Sequence, residues 1–310
     1  DALPIWPVRC KGGTESTDGE EATFAIYPLP GEAGGACPNQ AFRTGAAATL
    51  PDCRAYEMVS PVDKEGGDVN AFEARVQAAV SGDALTYSSS TAFAGTVSGP
   101  FNSQYIAARA GAGWSSRPIS PPQHGENLLP NEFNQLFNPF GAFSADLSVA
   151  WNTTYTEPVL APGGQPGFPN VYRRDNAGMG TYRACTAAEP MLEESLGPEF
   201  QAVSADQGHA VWRVQNRLTP DASEALDEQG TPLYQLYECS FGEGDEASVR
   251  LVSILPDGAP SSLDSTAGSP PQGLLSVDHN HGSWEAGAIS EDGSRLFWTA
   301  SPNRGAGAPG

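Results

Sequence analysis

The chain has 310 residues, 39% of them hydrophobic and 17% charged, which is enough for one large or two ordinary domains with a buried core. Its formal net charge is −21 and its sequence pI is about 4.4, so it repels phosphate backbones, which excludes nucleic acid as a partner. No apolar run reaches the roughly 18 residues that a membrane helix needs, so we predict no membrane span.

Residues 1–71 are the least patterned part of the chain and are predicted to form an irregular N-terminal extension. Residues 22–27 and 54–60 alternate as strands do, and residues 38–45 suit a short helical turn. A Gly-Gly turn then follows with three carboxylates around it. They are interpreted as a solvated turn, with a Ca²⁺ site as the alternative, although their spacing is not that of an EF-hand. These carboxylates belong to Asp63, Glu65 and Asp68.

From about residue 72, one pattern recurs: Ser, any residue, Asp, a turn, and then a strand with an aromatic residue. It is clearest at residues 204–212 and 290–298, shorter at 144–151 and degenerate at 81–87. A turn of this kind before an alternating run predicts a β-hairpin, and its recurrence predicts a repeat fold. A long loop and a second hairpin on Gly complete each unit.

The sequence therefore predicts an all-β protein, a β-propeller of four-stranded antiparallel blades. About three blades would be full and one partial, at residues 72–122, 140–190, 199–256 and 285–310. The extra length of the units lies in predicted loops at residues 127–138, 218–231 and 255–284, with short helical turns at 190–196 and 220–227.

The tryptophans fall into two groups. Trp151, Trp212 and Trp298 are interpreted as recurring at one strand position, which favours packing between blades. Trp114 and Trp284 do not share that position, and they are the candidate ligand-binding residues, because indole rings stack on sugars.

On these residues, the units resemble the TolB-type, WD-repeat-like propeller blades of bacterial envelope proteins. The matching pieces are residues 204–212, 290–298 and the strand 233–237. Residues 37–45, 50–61 and 251–258 also resemble large secreted proteins of actinobacteria, most of them uncharacterised. The resemblance covers about residues 36–300 and implies a longer, exported propeller. It implies no activity, because a fold does not fix function.

The five cysteines include no C-x-x-C pair, which disfavours zinc-ribbon or thioredoxin chemistry. Dispersed cysteines in an acidic chain with few lysines fit a secreted protein with disulfides. Cys37 and Cys53 bracket one loop and are the first predicted pair. Cys185 and Cys239 occupy similar places in neighbouring units and are the second, which leaves Cys10 over. The alternative is that all five are free.

The densest cluster of candidate metal ligands is Asp278, His279 and His281, with Glu285 nearby. In an extended segment, residues two apart project to one face, so the two imidazoles could share a transition metal. The alternative is an ordinary surface loop. No cofactor is expected otherwise, and Ca²⁺ or a transition metal is the alternative.

No catalytic residues are predicted. The chain has no G-x-S-x-G elbow, and nothing selects a carboxylate pair for glycoside cleavage. The imidazole bases would be His124, His209, His279 and His281. The repeated carboxylates are interpreted as turn caps rather than as a ring that binds a cation; they are Asp146, Asp206 and Asp292. Asn152 begins an N-x-T glycosylation acceptor.

The function predicted from the sequence is a secreted or cell-surface propeller that acts as a non-catalytic binding or structural module. Long loops on one rim would meet a protein or glycan partner. One alternative is a propeller hydrolase or lyase acting on carbohydrate or peptide. Another is a homo-oligomeric subunit of an extracellular filament or surface layer, in which the ends of the chain would donate strands to neighbouring copies.

Overall fold

The fold is all-β, as predicted. The computed structural model describes residues 9–12, 15–18, 37, 39–50, 53–70, 76–96, 103–110, 113–121, 140–155, 159–166, 168–185, 198–227, 230–241, 247–268 and 288–301. Regular structure within these ranges is strand, apart from two short 3₁₀ helices. The chain divides into two compact units, Asp1–Met58 and Val59–Gly310. In the part of the chain described, no helix has the length and apolar composition needed to cross a bilayer.

The first unit contains a small hairpin and a disulfide-bonded segment. The hairpin consists of β1 (Arg9–Gly12) and β2 (Glu15–Asp18). The 3₁₀ helices Gln40–Phe42 and Gly45–Thr49 follow, the first of them within the predicted helical turn. The Cys37–Cys53 disulfide closes this segment with a Cα–Cα distance of 5.5 Å. Residues 54–60, predicted as a strand, lie outside any sheet.

The second unit contains four antiparallel sheets, in each of which neighbouring strands follow one another along the chain. Sheet 1 comprises β3 (Ala84–Ser89), β4 (Ser103–Ala110) and β5 (Gly113–Pro118). Sheet 2 comprises β6 (Phe140–Phe143), β7 (Val149–Tyr155), β8 (Pro169–Asp175) and β9 (Thr181–Ala184). Sheet 3 comprises β10 (Glu199–Val203), β11 (His209–Val214), β12 (Gln235–Phe241) and β13 (Ala247–Leu251). Sheet 4 comprises β14 (Asp264–Ala267) and β15 (Trp298–Ser301).

The four sheets pack face to face in chain order, because alternate residues of each strand point to opposite neighbours. Ile106 of sheet 1 packs with Ala150 of sheet 2. Trp151 and Val171 of sheet 2 pack with Trp212 and Tyr237 of sheet 3. Sheets 3 and 4 share a third apolar cluster, which includes Val211, Leu236, Ala267 and Ala288. Among the described residues no closed ring of sheets is present, so the propeller arrangement stays a prediction.

A second disulfide ties two of these sheets together. Cys185 directly follows β9 of sheet 2, and Cys239 lies in β12 of sheet 3. They are bonded with a Cα–Cα distance of 6.0 Å. Two sheets that already pack through side chains are therefore also joined covalently.

The Ser-x-Asp turns have one internal hydrogen-bond pattern. In sheet 2, the hydroxyl of Ser144 and the amide of Ser148 donate to Asp146 Oδ1 at 2.7 and 3.0 Å, and the Val149 amide donates to Ser144 Oγ at 2.9 Å. The turns at Asp206 and Asp292 repeat these contacts. The carboxylates therefore hold the turns, as the turn-cap interpretation predicted.

The turns also show that the three tryptophans are not equivalent, and here the prediction is wrong. Each turn contains one residue with positive φ: Leu147, Gln207 or Gly293. Trp212 and Trp298 are the fifth residues after it, whereas Trp151 is the fourth. Neighbouring strand residues point to opposite faces, so Trp151 faces sheet 3 while Trp212 faces sheet 2. Both indoles nevertheless enter one core, from opposite sides.

The first strand of sheet 4 is interrupted. In sheet 3, the register of β10 against β11 shifts between Phe200 and Ala202. In sheet 4, Ala267 pairs with Trp298 and Ile289 pairs with Leu296, so two segments that are far apart in the sequence pair with the one segment 296–301. Sheet 4 therefore includes β14, which the sequence prediction placed within the loop 255–284.

The other end of the stack is covered by a non-sheet segment. Residues 59–70 lie against the face of sheet 1 that points away from sheet 2. Val59 packs with the buried Tyr87 and Tyr105, and its carbonyl accepts a hydrogen bond from Ser116 Oγ at 3.3 Å. Asn70 forms a bridge with Ser88 of β3. In the described part of the chain, Val59 thus covers a part of the apolar face of sheet 1.

Candidate functional site

The long connections between the second and third strands of sheets 1, 2 and 3 lie at one edge of the stack. In sheet 1 the innermost position is held by residues 77–79, which pair with β3 through the bridge between Ala78 and Leu85, so there the connection joins β3 to β4. Because each connects corresponding strands of stacked sheets, the three connections leave on the same side. We call this side the loop edge; its described parts are residues 90–96, 159–166, 168, 215–227 and 230–234. The Ser-x-Asp turns lie at the opposite end, the turn edge.

A buried tyrosine anchors each connection of the loop edge. Tyr105, Tyr172 and Tyr237 lie in β4, β8 and β12 and are fully buried. Their hydroxyl oxygens accept hydrogen bonds from backbone amides of the connections, which are those of Phe93 at 2.9 Å, Leu160 at 3.3 Å and Leu218 at 3.1 Å. The core of each sheet thus fixes the backbone of its own loop.

Two of the three phenols hold their loop at more than one point, since the Tyr105 hydroxyl also donates to the Thr91 carbonyl at 3.4 Å. The Tyr237 hydroxyl also donates to the Asn216 carbonyl at 2.9 Å, so one phenol holds the loop at two points. Burial raises the pKa of Tyr237 to about 12, which keeps this donor protonated at neutral pH.

Side-chain amides provide further anchors. In sheet 2, the Asn170 side chain accepts from the Gln165 amide at 2.7 Å and donates to the Gln165 carbonyl at 3.0 Å. In sheet 3, Gln235 makes the same pair with Ser223, at 2.7 and 3.0 Å. Each side-chain amide thus makes the two hydrogen bonds to one loop residue that a neighbouring strand would make. The loops are therefore held by buried polar groups whose hydrogen bonds are satisfied.

The sheet 3 connection presents both polar and apolar groups to solvent. Arg217 Nη1 lies 2.6 Å from Glu224 Oε1, and both side chains are exposed. The Leu226 side chain, on the same connection, is 58% exposed. The described part of this connection therefore exposes one ion pair and one apolar side chain.

A histidine–carboxylate pair lies between sheets 3 and 4. The structure describes one of the four histidines, His209, whose Nδ1 is 2.6 Å from Oε1 of the buried Glu238. Arg250 donates twice to the other oxygen of Glu238. A carboxylate only accepts, so Nδ1 carries the proton. The imidazole also presses on Gly293, where an added Cβ would lie 2.3 Å from the ring. The pair thus serves the packing of sheet 4.

Most of the residues predicted to bind a metal or ligand lie outside the described part of the chain. These are Asp278, His279, His281, Trp284 and Glu285. Trp114 is described, and it is half-buried beside Tyr87 and Tyr105, with the Arg109 guanidinium 4.9 Å from its ring centre. Within the ranges that the structure describes, no three His, Cys, Asp or Glu side chains are grouped to hold a metal ion.

Two other predicted features have local structural roles. Asp63 accepts a hydrogen bond from the Glu65 amide at 3.0 Å, as in an ordinary Asx turn. The glycosylation acceptor Asn152 is 0% exposed inside sheet 2, so a glycosyl transferase could not reach it in the folded chain.

Comparisons with known proteins do not assign the chain to a family. No protein-family model matches it, and no curated protein matches it. Among solved structures, the similarity found is to a hypothetical selenium-binding protein from Sulfolobus tokodaii, with a TM-score of 0.33 and 8% identity. The alignment covers 57% of this chain and 39% of that protein.

Sequence reasoning missed the tyrosine anchors, although a signal for them exists. A polar residue stands two positions before each tyrosine, in Ser103-Gln-Tyr105, Asn170-Val-Tyr172 and Gln235-Leu-Tyr237. The spacing of two puts both side chains on one face of the strand. This pattern recurs in three successive units and marks the entry to the third strand.

Proposed function

We propose that this chain is a secreted or cell-surface binding module of propeller type, without catalytic activity, that meets a protein or glycan partner through its loop edge. The observation that supports this most is the repeated tyrosine anchor. It fixes three consecutive loops to the cores of three stacked sheets, which lowers the entropy lost when a partner orders them.

The environment of the module follows from its disulfides. The Cys37–Cys53 and Cys185–Cys239 bonds persist in oxidising compartments, which favours an extracellular location. The high negative charge fits a module that stays soluble and selects against polyanions.

The test is a binding screen on immobilised glycans and peptides with three forms of the protein. The wild type is compared with Leu226→Asp at the loop edge and with Met179→Asp as a matched control. Met179 lies at the turn edge and is 96% exposed, so its replacement places the same charge on the opposite side. We expect Leu226→Asp to lower the affinity for a ligand found in the screen by about tenfold or more. Met179→Asp should leave this affinity unchanged.

Several outcomes would contradict the proposal. Equal weakening by both variants, or by neither, would remove the loop edge as the contact surface. Cleavage of a screened glycan or peptide would favour the hydrolase or lyase alternative. Concentration-dependent growth of the molar mass in light scattering would favour the filament alternative.

A further inference from the structure

Two arginines face each other between sheets 1 and 2, and among the described residues neither has an acidic partner. Arg174, in β8, is 3% exposed, and it pairs across the sheet with Ala150, on the face toward sheet 1. Arg117, in β5, is half-buried and pairs with Ile106, on the face toward sheet 2. Both contact the same neutral residue: Arg174 donates to the side-chain oxygen of Asn176, and Arg117 donates to its carbonyl.

Neutral groups make up the other surroundings of Arg174. Its Nε donates to the Tyr182 hydroxyl at 3.1 Å, and its Nη2 donates to the Met179 carbonyl at 3.2 Å. The Tyr182 ring centre lies 5.4 Å from the guanidinium carbon. In the described part of the chain, no carboxylate forms an ion pair with either arginine.

This arrangement is energetically unusual. Buried charges in proteins are normally paired, and two like charges at one site oppose each other. Burial, and then the charge of Arg174, lower the pKa of Arg117. The pair occurs in a chain with 37 acidic and 16 basic residues, where a compensating carboxylate is the common solution. A guanidinium has five N–H donors, and the described contacts of Arg117 use one of them.

We propose that Arg117 and Arg174 form a binding site for one small oxyanion between sheets 1 and 2. A sulfate, phosphate or carboxylate group matches the donor geometry of a guanidinium. A doubly charged sulfate or phosphate would neutralise both arginines, and a carboxylate would offset one of the two charges. Asn176 orients the site, because its side-chain amide also donates to the Leu147 carbonyl at 2.8 Å, which links the site to the turn of sheet 2. The site is separate from the loop edge, so its test is independent of the function proposed above.

The experiment measures thermal unfolding of the wild type in sulfate, phosphate and acetate, each against chloride at equal ionic strength. Equal ionic strength removes general screening from the comparison. Arg117→Gln removes the more accessible charge and keeps a polar side chain. Arg217→Gln is the matched control, because it makes the same substitution at an exposed arginine already paired with Glu224.

We expect an oxyanion to raise the unfolding temperature of the wild type and of Arg217→Gln above the value in chloride. Arg117→Gln should lose this increase, and its affinity for the anion in calorimetry should fall by about tenfold or more. In chloride alone, Arg117→Gln should unfold at the same temperature as the wild type or higher, because the like-charge repulsion is gone. A larger increase with sulfate or phosphate than with acetate would indicate a free tetrahedral anion as the ligand. A larger increase with acetate would indicate a carboxylate donated by a partner.

Two results would overturn the proposal. If Arg117→Gln responds to the anions as the wild type does, the increase comes from general ion effects. If the wild type shows no anion dependence and Arg117→Gln unfolds at a lower temperature in chloride, a carboxylate of the chain itself neutralises the arginines and no external anion is needed.

Discussion

The two faces of sheet 3 pack against their neighbouring sheets through different kinds of contact. Toward sheet 2, the interface is a broad apolar core that includes Trp151 and Trp212 and is crossed by the Cys185–Cys239 bond. Toward sheet 4, the apolar cluster is smaller, and buried charged networks lie at both ends of β11.

The charged networks of the sheet 3–4 interface each contain a buried glutamate. At one end, Arg213 contacts Glu199 at 2.6 Å, stacks 4.5 Å from the Tyr234 ring and donates to Thr266 of β14. At the other end, Glu238 holds His209 and Arg250. Burial, and then the charge of Glu199, raise the pKa of Tyr234, so its phenol stays protonated.

This difference between the two interfaces predicts which sheet separates first. Apolar burial and a crosslink stabilise an interface outright, whereas buried ion pairs largely offset their own desolvation. The polar interface instead requires its partners to match, because a missing partner leaves a buried charge. We therefore expect that opening sheet 4 costs less free energy than separating sheet 2 from sheet 3. Three predictions, from the largest expected effect to the smallest, concern these interfaces and the turns beside them.

The largest effect is expected from breaking one ion pair of the polar interface. Arg213→Met leaves the Glu199 carboxylate, itself 7% exposed, without its cation, and should lower the free energy of unfolding by about 3–5 kcal/mol. The double variant Glu199→Gln with Arg213→Met should recover most of this loss, because it removes both charges. Urea denaturation measures the losses, and hydrogen exchange should show faster opening of β14 and β15.

The double variant is also the control for simple loss of packing. If the double variant loses as much free energy of unfolding as its two single variants together, the two side chains do not interact, and the explanation by an unpaired buried charge is wrong.

The next effect concerns the crosslink of the apolar interface. Replacing Cys185 and Cys239 together with Ala opens a loop of 54 residues, and the chain-entropy model gives a loss of about 4 kcal/mol. Replacing Cys37 and Cys53 opens a loop of 16 residues, for about 3 kcal/mol, and serves as the matched control. Only the first variant should accelerate hydrogen exchange in both β9 and β12. Equal acceleration in the control would mean that the bond does not act locally.

Sequence patterns predicted the parts of this fold that depend on neighbouring residues. The Ser-x-Asp turns were predictable because their hydrogen bonds close within six residues, as at Ser144 and Val149. The all-β class followed from short alternating runs between turns. The loop edge could not be located as a site, because the Tyr237 hydroxyl meets Leu218 only after both strands have paired.

Register and long-range polar contacts were harder to predict. A shift of one residue changes the face to which a side chain points. Trp151, seven residues after Ser144, was nevertheless grouped with Trp212, eight residues after Ser204. The interruption of sheet 4 was missed because β14 is short and far in sequence from its partner β15. The pairs Glu199–Arg213 and Glu238–Arg250 join different strands, so no local spacing marks them.

The smallest expected effect concerns the turn carboxylate that sheets 2, 3 and 4 share, which does not depend on the interfaces between sheets. Hydrogen bonds from Ser144, and then from Ser148, lower the pKa of Asp146 from 3.8 to about 2. The folded pKa lies below the unfolded one, so this carboxylate stabilises the fold above about pH 4 and loses that contribution as the pH falls toward 2. The side chain is exposed, so screening limits its contribution to less than about 1 kcal/mol.

Ser148→Ala tests this account, because it removes one hydroxyl donor to Asp146 at 2.7 Å and keeps the amide donor. The Asp146 carboxyl should then titrate at higher pH in carbon-detected NMR, yet still below its ordinary value, while Asp292 is unchanged. Ser294→Ala should have the converse effect, since that hydroxyl donates to Asp292 at 2.8 Å. Because both turns use the same donors, the two variants should act alike whether the sheet faces an apolar or a polar neighbour. A shift confined to one of them would show that the interface, and not the turn, sets the carboxylate pKa.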